Sequence, residues 1–393
     1  MKQNYTILRM PPERQNTESA QRDGEAEDNE SLINLEHKNL DADEAEEMRR
    51  DSSCIVAQPM TLSLIEPTKF DKDVRDTKDT WGLKAIGAPD SEYTGKGSTV
   101  AILDTGIRDD HIAFDHINKE NIVQKDFTDT GNGDTHGHGT HIAATIFGKS
   151  ISGLQVGVAP NIDKAYIAKV LDKTGKGSTG GFYDGLKWAI DQNVDVVCMS
   201  LGFDFLDQIK KIVKVETATH EQATSKALVE FAQNLRTFDA LVASVETKKH
   251  WETGTVIVAA AGNESNADTK IAATLPSATR GIISVGAIKQ PSSAEGSKYT
   301  VPSFSNILPD VVAPGVGIVS ARADGGVAIA DGTSQACPHV AGVAALWWEY
   351  IRNSQMPTEA AIVREHLLAS CRFDEIETEV RVEARGRGLV TAP

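Results

Sequence analysis

From Trp81 onward, short apolar strand-like runs alternate with longer runs that have helical periodicity. Parallel strands need crossover connections that are usually helices, so this alternation predicts βαβ units. It indicates a three-layer α/β domain, in which a mainly parallel sheet is flanked by helices. The predicted strands are residues 99–103, 164–171, 194–200, 256–260, 282–287 and 311–313, and the predicted helices are residues 138–147, 182–191 and 333–350.

The first 75 residues have a different pattern and predict a small α+β N-terminal module, so the large domain is expected to comprise residues 76–393. A strand is expected at residues 5–10. The acidic stretch that follows, to about Glu30, has too few core-forming residues to fold and is expected to be a mobile loop. Asp41 is placed to cap a helix over residues 41–50, and a second strand is expected at residues 55–65.

The stretch from Phe203 to Trp251 is polar and helix-prone, and it interrupts the alternation of strands and helices. We expect one or two surface helices inserted into the large domain around residues 203–251. No pattern of reactive side chains in this insertion predicts chemistry.

The charge of the chain narrows the range of partners. With 393 residues and a formal net charge of −16, the protein repels phosphate backbones and anionic lipids, so neither nucleic acid nor a membrane is an expected partner. No apolar run reaches the ~18 residues of a membrane-spanning helix, and no secretory signal is evident at the N-terminus. The four scattered cysteines have no metal-binding spacing, so we expect reduced thiols in a cytoplasmic protein.

Three short segments each place a reactive side chain beside glycines. Asp104 follows an apolar strand, a position where an Asp is more often a turn or cap residue. His138 lies between two glycines in a segment with three histidines, but the spacing is not that of a helical zinc site. Ser334 begins a long apolar helix, where a Ser is commonly an N-cap but where backbone N–H groups can also stabilise an oxyanion.

Taken together, these segments resemble one known family. Asp, His and Ser occur in the chain order of the subtilisin triad. The resemblance to the subtilisin-like (subtilase) family extends from about Trp81 to Val390. It is carried by four segments: Asp104-Thr105-Gly106, His138-Gly139-Thr140-His141, Gly332-Thr333-Ser334 and Ala259-Ala260-Ala261-Gly262-Asn263.

The resemblance implies a serine endopeptidase that hydrolyses protein or peptide substrates through an acyl-enzyme. Ser334 would be the nucleophile, His138 its general base and Asp104 the residue that orients the base. Asn263 and the backbone N–H of Ser334 would bind the oxyanion. Three further histidines and one cysteine match no catalytic position and are expected to pack around the site, with the cysteine near enough to Ser334 for oxidation to matter: His136, His141, His339 and Cys337.

The resemblance also implies where an extended substrate binds. Two backbone segments would pair with it, Gly175-Lys176-Gly177 and Ser200-Leu201-Gly202. The main specificity pocket would lie between the second segment and Ala260-Ala261-Gly262. The glycines at 175, 177 and 180 also fit a dinucleotide-binding pattern, but they do not directly follow a strand, and we do not expect a nucleotide.

The chain departs from the family at several positions. Many relatives bind calcium through a carboxylate nine residues after the catalytic Asp, where this chain has Ala113, and Ile151 replaces an expected amide ligand. We therefore expect no required cofactor and no tight calcium site here, although another calcium site is possible. Phe203 is placed to narrow the specificity pocket. Glu264 either favours a basic substrate side chain or is simply solvated.

The N-terminal module resembles the propeptides that assist folding of subtilases and inhibit them. On that basis it would act as an intramolecular inhibitor, removed by self-processing between Glu66 and Thr80. The alternative is a permanent regulatory or docking module. Two other functions stay open for the whole chain, namely a transpeptidase or macrocyclase that uses the same triad, and a catalytically silent binding protein.

Overall fold

The computed structural model describes residues 2–9, 34–71, 79–247, 253–291 and 298–393. The N-terminal module is a three-stranded antiparallel sheet, in the order β2-β1-β3, with one helix packed against it. Its elements are β1 (Gln3–Arg9), β2 (Asn34–Leu40), α1 (Ala42–Arg49) and β3 (Cys54–Ala57). The predicted helix is confirmed, because Asp41 and Glu44 form a reciprocal capping box at its start. The predicted acidic loop lies outside the described residues.

The single strand predicted at residues 55–65 is wrong. The structure has two short strands there, β3 and β4 (Leu62–Leu64), and they belong to different sheets. The strand β3 pairs with β1 inside the module, whereas β4 pairs with strands of the large domain. A further strand, β5 (Lys69–Asp71), also joins the large domain. The segment that leaves the module is therefore attached to the large domain at two places.

The large domain contains a seven-stranded parallel sheet, which confirms the predicted α/β class. Its strands have the order β16-β15-β14-β12-β6-β10-β7. The strands of the domain are β6 (Thr99–Asp104), β7 (Ile122–Asp126), β8 (Ser150–Ile151), β9 (Leu154–Gln155), β10 (Lys164–Lys169), β11 (Lys176–Gly177), β12 (Val196–Met199), β13 (Leu201–Phe203), β14 (Val256–Ala260), β15 (Ile282–Ile288), β16 (Val311–Pro314), β17 (Ile318–Ala321) and β18 (Val327–Asp331). Its α-helices are α2 (Trp81–Ala85), α3 (His138–Phe147), α4 (Thr179–Asp191), α5 (Phe205–Glu216), α6 (His220–Thr247), α7 (Thr333–Asn353), α8 (Ala360–Ala369) and α9 (Val382–Arg385).

Helices cover both faces of the sheet. Successive residues of a strand point to opposite faces, so each fully apolar strand contributes to two cores. On β12, Cys198 belongs to the core that contains α3 and α7, and Met199 belongs to the core that contains α4 and α6. Among the described residues, no helix is long and apolar enough to span a membrane.

Two small sheets hold the segment that leaves the N-terminal module. In one, β4 lies between β11 and β13 and is antiparallel to both. In the other, β5 pairs with β18 as the outer strand beside β17. Residues 65–68, between these two attachments, cross the carboxyl edge of the main sheet, where open α/β sheets place their ligands.

The predicted insertion contains two helices, α5 and α6, which pack against each other. The expectation of surface helices is incomplete, because α6 also packs on β3 of the N-terminal module and buries Phe238. Phe203, expected at the entrance of the specificity pocket, is 1% exposed. It lies opposite Leu62, with its ring 5.8 Å from that of Phe182 and 5.6 Å from that of Phe238.

Candidate active site

Asp104 and His138 form a buried hydrogen-bonded pair. Asp104 is the last residue of β6 and His138 is the first residue of α3, so two elements that end at the same edge of the sheet bring them together. His138 Nδ1 lies 2.8 Å from Asp104 Oδ1 and 3.0 Å from Oδ2. An ionised carboxylate only accepts hydrogen bonds, so Nδ1 carries the proton and Nε2 is left free to act as a base. Nε2 has no hydrogen-bond partner among the described residues.

A second buried carboxylate, Asp134, organises the loop before α3, and the sequence patterns did not single it out. Its Oδ1 accepts hydrogen bonds from the Thr105 hydroxyl at 3.0 Å and from the backbone N–H groups of His136 and Gly137. Its Oδ2 accepts from the backbone N–H of Thr140 at 2.9 Å and from the Thr140 hydroxyl. Asp134 therefore connects the residue after Asp104 to the first turn of α3. An Asp four residues before a glycine-flanked His was the available signal.

The surroundings of His138 favour its protonated form. Burial lowers the pKa of His138, but the charge and hydrogen bond of Asp104 outweigh burial, and Asp134 and Glu66 add to them, so the pKa is raised. Burial, together with the charge of His138, lowers the pKa of His141 to about 3, and burial lowers that of His339 to about 4. Both of these histidines are neutral near pH 7, which fits the prediction that they pack around the site.

Ser334 lies in the first turn of α7, where Gly332 occupies the N-cap position instead of the serine. Its hydroxyl donates a hydrogen bond to the carbonyl oxygen of Ile65 at 2.8 Å and lies 3.4 Å from that of Ser200. In return, the Ser200 hydroxyl donates to the carbonyl of Ser334 at 3.1 Å. The candidate nucleophile therefore touches the chain's own segment from the N-terminal module.

Asn263 follows β14 and contacts the same segment one residue later. Its Nδ2 donates to the carbonyl oxygen of Glu66 at 2.9 Å. Its Oδ1 accepts from the backbone N–H of Thr333 at 2.8 Å and from the Thr333 hydroxyl at 2.9 Å. The amide orientation follows from these contacts, because only the nitrogen can donate to a carbonyl oxygen. Glu264 is exposed and its carboxylate also accepts a hydrogen bond from Asn306 Nδ2 at 2.6 Å, so both of its expected roles stay predictions.

Both segments expected to bind an extended substrate pair with β4. Lys176 lies opposite Ser63 and Gly177 opposite Leu62, and the carbonyl of Gly175 accepts from the N–H of Leu64 at 2.8 Å. On the other side, Leu201 and Gly202 lie opposite Leu64 and Ser63. The Ile65 side chain lies beside Gly202, where a methyl group on the glycine Cα would be in ordinary contact with Ile65 Cγ1 at 3.5 Å. The N-terminal segment therefore occupies the edge predicted for a substrate.

A cavity of about 390 Å³ lies beside this strand, lined among others by Gly202, Gly262 and Thr274. Gly202 and Gly262 come from the two segments between which the specificity pocket is predicted, residues 200–202 and 260–262. Ala260 and Ala261, also predicted to bind substrate, are each 1% exposed in this structure, in which the chain's own β4 pairs with the neighbouring segment, and their role stays a prediction. The carbonyl of Ala261 accepts a hydrogen bond from Asn306 Nδ2 at 3.1 Å.

Ala113 and Ile151 stand at the two positions where relatives were expected to have calcium ligands. The side chains of Ala113 and Ile151 are buried in the apolar core, at 0% and 3% exposure, and neither offers an oxygen. Within the described residues, no group of three or more His, Cys, Asp or Glu side chains is placed to hold a metal.

Comparisons with known proteins identify the family of the chain. A model of the Subtilase family matches residues 95–382. The chain is 34% identical over 290 residues to Alkaline elastase YaB of Bacillus sp. (strain YaB), and the match covers 73% of this chain and 63% of the elastase. It is 30% identical over 269 residues to Subtilisin NAT of Bacillus subtilis subsp. natto, covering 68% of this chain and 60% of that protein.

A third relative is a cuticle-degrading serine protease of Arthrobotrys oligospora, 34% identical over 324 residues, with 78% of this chain and 66% of that protein covered. The chain thus spans less than two thirds of the length of each of these three relatives. The family match nevertheless includes every segment that builds the candidate site on the large domain, from Asp104 to Ser334. The chain belongs to the subtilase family.

Proposed function

We propose that this protein is a serine endopeptidase that hydrolyses peptide bonds of protein or peptide substrates through an acyl-enzyme. The observation that carries the proposal is the peptide segment already bound at the site. Its strand β4 pairs on both sides with the predicted substrate edge, while Ser334 and Asn263 contact the carbonyls of Ile65 and Glu66. Backbone pairing of this kind accepts an extended peptide largely independently of its sequence.

In the proposed reaction, Ser334 Oγ attacks the scissile carbonyl carbon and His138 Nε2 takes the serine proton. Asp104 holds Nδ1–H and stabilises the imidazolium that forms. Asn263 Nδ2 and the backbone N–H of Ser334 donate hydrogen bonds to the oxyanion. His138 then gives its proton to the leaving amine, and water releases the acyl group by the same steps in reverse. The reaction as proposed uses no metal or cofactor.

The N-terminal module is proposed to inhibit this site from within the same chain. The support is that residues 62–66 fill the substrate edge, and that β4 and β5 attach the segment to the large domain before and after the site. A competing substrate would have to displace β4, which the second attachment through β5 keeps in place. Self-processing would cut the chain close to Glu66, at the beginning of the window predicted from the sequence.

The test compares the wild type with Ser334→Ala by intact mass, before and after treatment with a fluorophosphonate probe. Such a probe labels only an activated serine, so we expect the wild type to gain the probe mass and the variant to stay unlabelled. We also expect only the wild type to lose an N-terminal piece that ends near Glu66.

A wild type that takes no probe, even after removal of residues 1–75, would refute the endopeptidase and favour a binding protein. Labelling without loss of the N-terminal piece would keep the enzyme but make the module a permanent regulator. The masses of products from a test peptide that carries a free amine separate hydrolysis from transpeptidation.

A further inference from the structure

Two buried cysteines face each other next to the candidate nucleophile, and the proposed reaction uses neither. Cys198 is on β12, in the centre of the parallel sheet, and Cys337 is on α7. Their Sγ atoms are 3.6 Å apart, and both side chains are 0% exposed. The sequence suggested that Cys337 is a small buried residue near Ser334 and open to oxidation. It did not indicate a partner, because the two cysteines are far apart in the chain.

The two cysteines connect α7, which carries Ser334, to β12, which leads into the predicted substrate-binding residues 200–202. Cys337 follows Ser334 by less than one helical turn, and its Sγ is 3.6 Å from the carbonyl oxygen of Met199. Ser200, the next residue, exchanges contacts with Ser334 through its hydroxyl and its carbonyl. A covalent bond between the two sulfurs would therefore act on the backbone that positions Ser334.

The other two cysteines have different surroundings. Cys54 Sγ lies in the N-terminal module within 3.1 Å of an Arg9 nitrogen and 3.5 Å of an Asp51 oxygen. Cys371 Sγ lies 3.6 Å from the carbonyl of Leu367. Among the described residues, only Cys198 and Cys337 bring two sulfurs together.

We propose that Cys198 and Cys337 are an oxidative modification site, at which a hydroperoxide converts the two thiols into an intramolecular disulfide that displaces Ser334. One thiolate attacks the peroxide, the O–O bond breaks, and a sulfenic acid and hydroxide form. The second thiol then attacks the sulfenic sulfur, the S–S bond forms and water leaves. Two thiols and one hydrogen peroxide give one disulfide and two waters, and a dithiol reverses the change by becoming a cyclic disulfide.

The size of the displacement follows from bond lengths. A disulfide has an S–S distance of about 2.05 Å, so the sulfurs, 3.6 Å apart, must approach by about 1.5 Å. Whatever part of this movement the rotation of the two side chains does not supply falls on β12 or on the first turns of α7. A misplacement of about 1 Å at a reacting group can cost about 100-fold in rate, so we expect the oxidised protein to react at least about tenfold more slowly.

The thiol chemistry adds a pH dependence. Burial raises the pKa of Cys198 well above its ordinary value, and the neighbouring Cys337 raises it further. Less thiolate is then present at a given pH, so cross-linking should be slow near neutrality and faster as the pH rises.

The experiment treats the full chain with hydrogen peroxide, alkylates the remaining thiols in denaturant, and maps the peptides by mass. We expect a cross-linked peptide that joins Cys198 to Cys337 and is lighter by two hydrogens than the sum of its parts. The cross-link should be lost on treatment with dithiothreitol and absent from Cys337→Ser and Cys198→Ala. Cys371→Ser, a cysteine variant away from the pair, should retain it.

The effect on Ser334 rests on the proposed function and is measured as the rate of fluorophosphonate labelling before and after oxidation. We expect a fall of at least about tenfold in the wild type and in Cys371→Ser, restored by dithiothreitol, and little change in Cys337→Ser. Oxidation of Cys371 without a 198–337 cross-link overturns the proposal, and so does a cross-link that leaves labelling unchanged. If no form of the protein takes the probe, the proposed function fails, while the mapping still decides whether the disulfide forms.

Discussion

Asn263 connects two parts of the site through one side chain. Its Nδ2 donates to the carbonyl of Glu66, and its Oδ1 accepts two hydrogen bonds from Thr333, which precedes the candidate nucleophile. The donor is thus held in place by the helix that carries Ser334. Donors fixed in this way before the reaction need no reorganisation when charge develops on the substrate oxygen, which is how an oxyanion site lowers a barrier.

For Asn263→Ala, we expect turnover to fall by roughly 10²–10³, a range that the subtilisin family itself established for this kind of donor. The KM should change little, because the hydrogen bond strengthens mainly in the transition state. Steady-state kinetics on a peptide substrate measure both quantities. A variant that raises KM with unchanged turnover would contradict the assigned role, and thermal unfolding of the same sample identifies any general loss of structure.

Asp134 allows a test of the charge around His138. The base must be neutral to accept the serine proton, so activity falls as the pH drops through the His138 pKa, which neighbouring carboxylates raise. Asp134→Asn removes one of these charges and should move the acid limb of kcat/KM to lower pH. The control is Asp126→Asn, which also removes a carboxylate that binds loop N–H groups, but one that is not among the charges that act on His138. If the acid limb of kcat/KM does not move in Asp134→Asn, the role of Asp134 is only structural.

At the scale of elements, local periodicity predicted six of the seven strands of the main sheet and the helices α3, α4 and α7, but it missed β7 and α8. The helix predicted at residues 138–147 and the strand at 256–260 have the same bounds in the structure. The failure at residues 55–65 has a non-local cause. The run is continuous in the sequence, but β3 finds its partner in β1, and β4 finds its partners in β11 and β13. No local pattern states which distant strand will provide the hydrogen bonds.

The partners of the insertion were likewise not predictable from local patterns. Its helices were predicted, but the surface that α5 and α6 offer to the N-terminal segment depends on scattered polar residues. Gln208 Oε1 accepts hydrogen bonds from the Thr61 backbone N–H at 3.2 Å and from its hydroxyl at 3.0 Å. Asn234 Nδ2 donates to the carbonyl of Gln58 at 2.9 Å. These contacts hold the chain just before it enters the substrate edge.

Gln208→Ala should therefore weaken inhibition by the separated N-terminal module. Two hydrogen bonds to Thr61 are lost, and a net contribution of about 1.4 kcal/mol corresponds to about tenfold in the inhibition constant. The measurement adds the isolated module to the processed enzyme and follows peptide hydrolysis. Lys210→Ala, an exposed position on the same helix, is the matched control and should be inhibited like the wild type. Equal inhibition of both variants would show that α5 does not contribute to binding of the module.

At the scale of the whole molecule, the sequence identified the four candidate catalytic residues. It did not show that a segment of the same chain is bound at them. Asp104, His138, Asn263 and Ser334 were each recognisable because glycine-rich motifs surround them. The occupancy of the site was not recognisable, since it results from two strand pairings that involve distant parts of the chain. A substrate would need Ser334 and Asn263 at the same carbonyl group. In the bound segment the two residues contact different carbonyls, Ser334 that of Ile65 and Asn263 that of Glu66.

We expect Pro67 to keep these two hydrogen bonds on different carbonyl groups. Its ring restricts its own backbone and confines Glu66 to extended conformations. On its other side, the N–H of Thr68 donates to the carbonyl of Asp331 at 2.8 Å, which anchors the chain as it continues into β5. The segment between the two anchors therefore has little freedom to bring one carbonyl to both Ser334 and Asn263.

Pro67→Ala should accordingly accelerate loss of the N-terminal piece. Releasing about 1 kcal/mol of backbone restriction corresponds to about fivefold in rate. The rate is measured by refolding each protein from urea and following the intact chain by mass spectrometry. Pro59→Ala, which changes a proline upstream of β4, should process like the wild type, and Pro67→Ala combined with Ser334→Ala should stay intact. Unchanged or slower processing in Pro67→Ala would mean that the two anchoring strands, and not the proline, keep the bound segment from being cut.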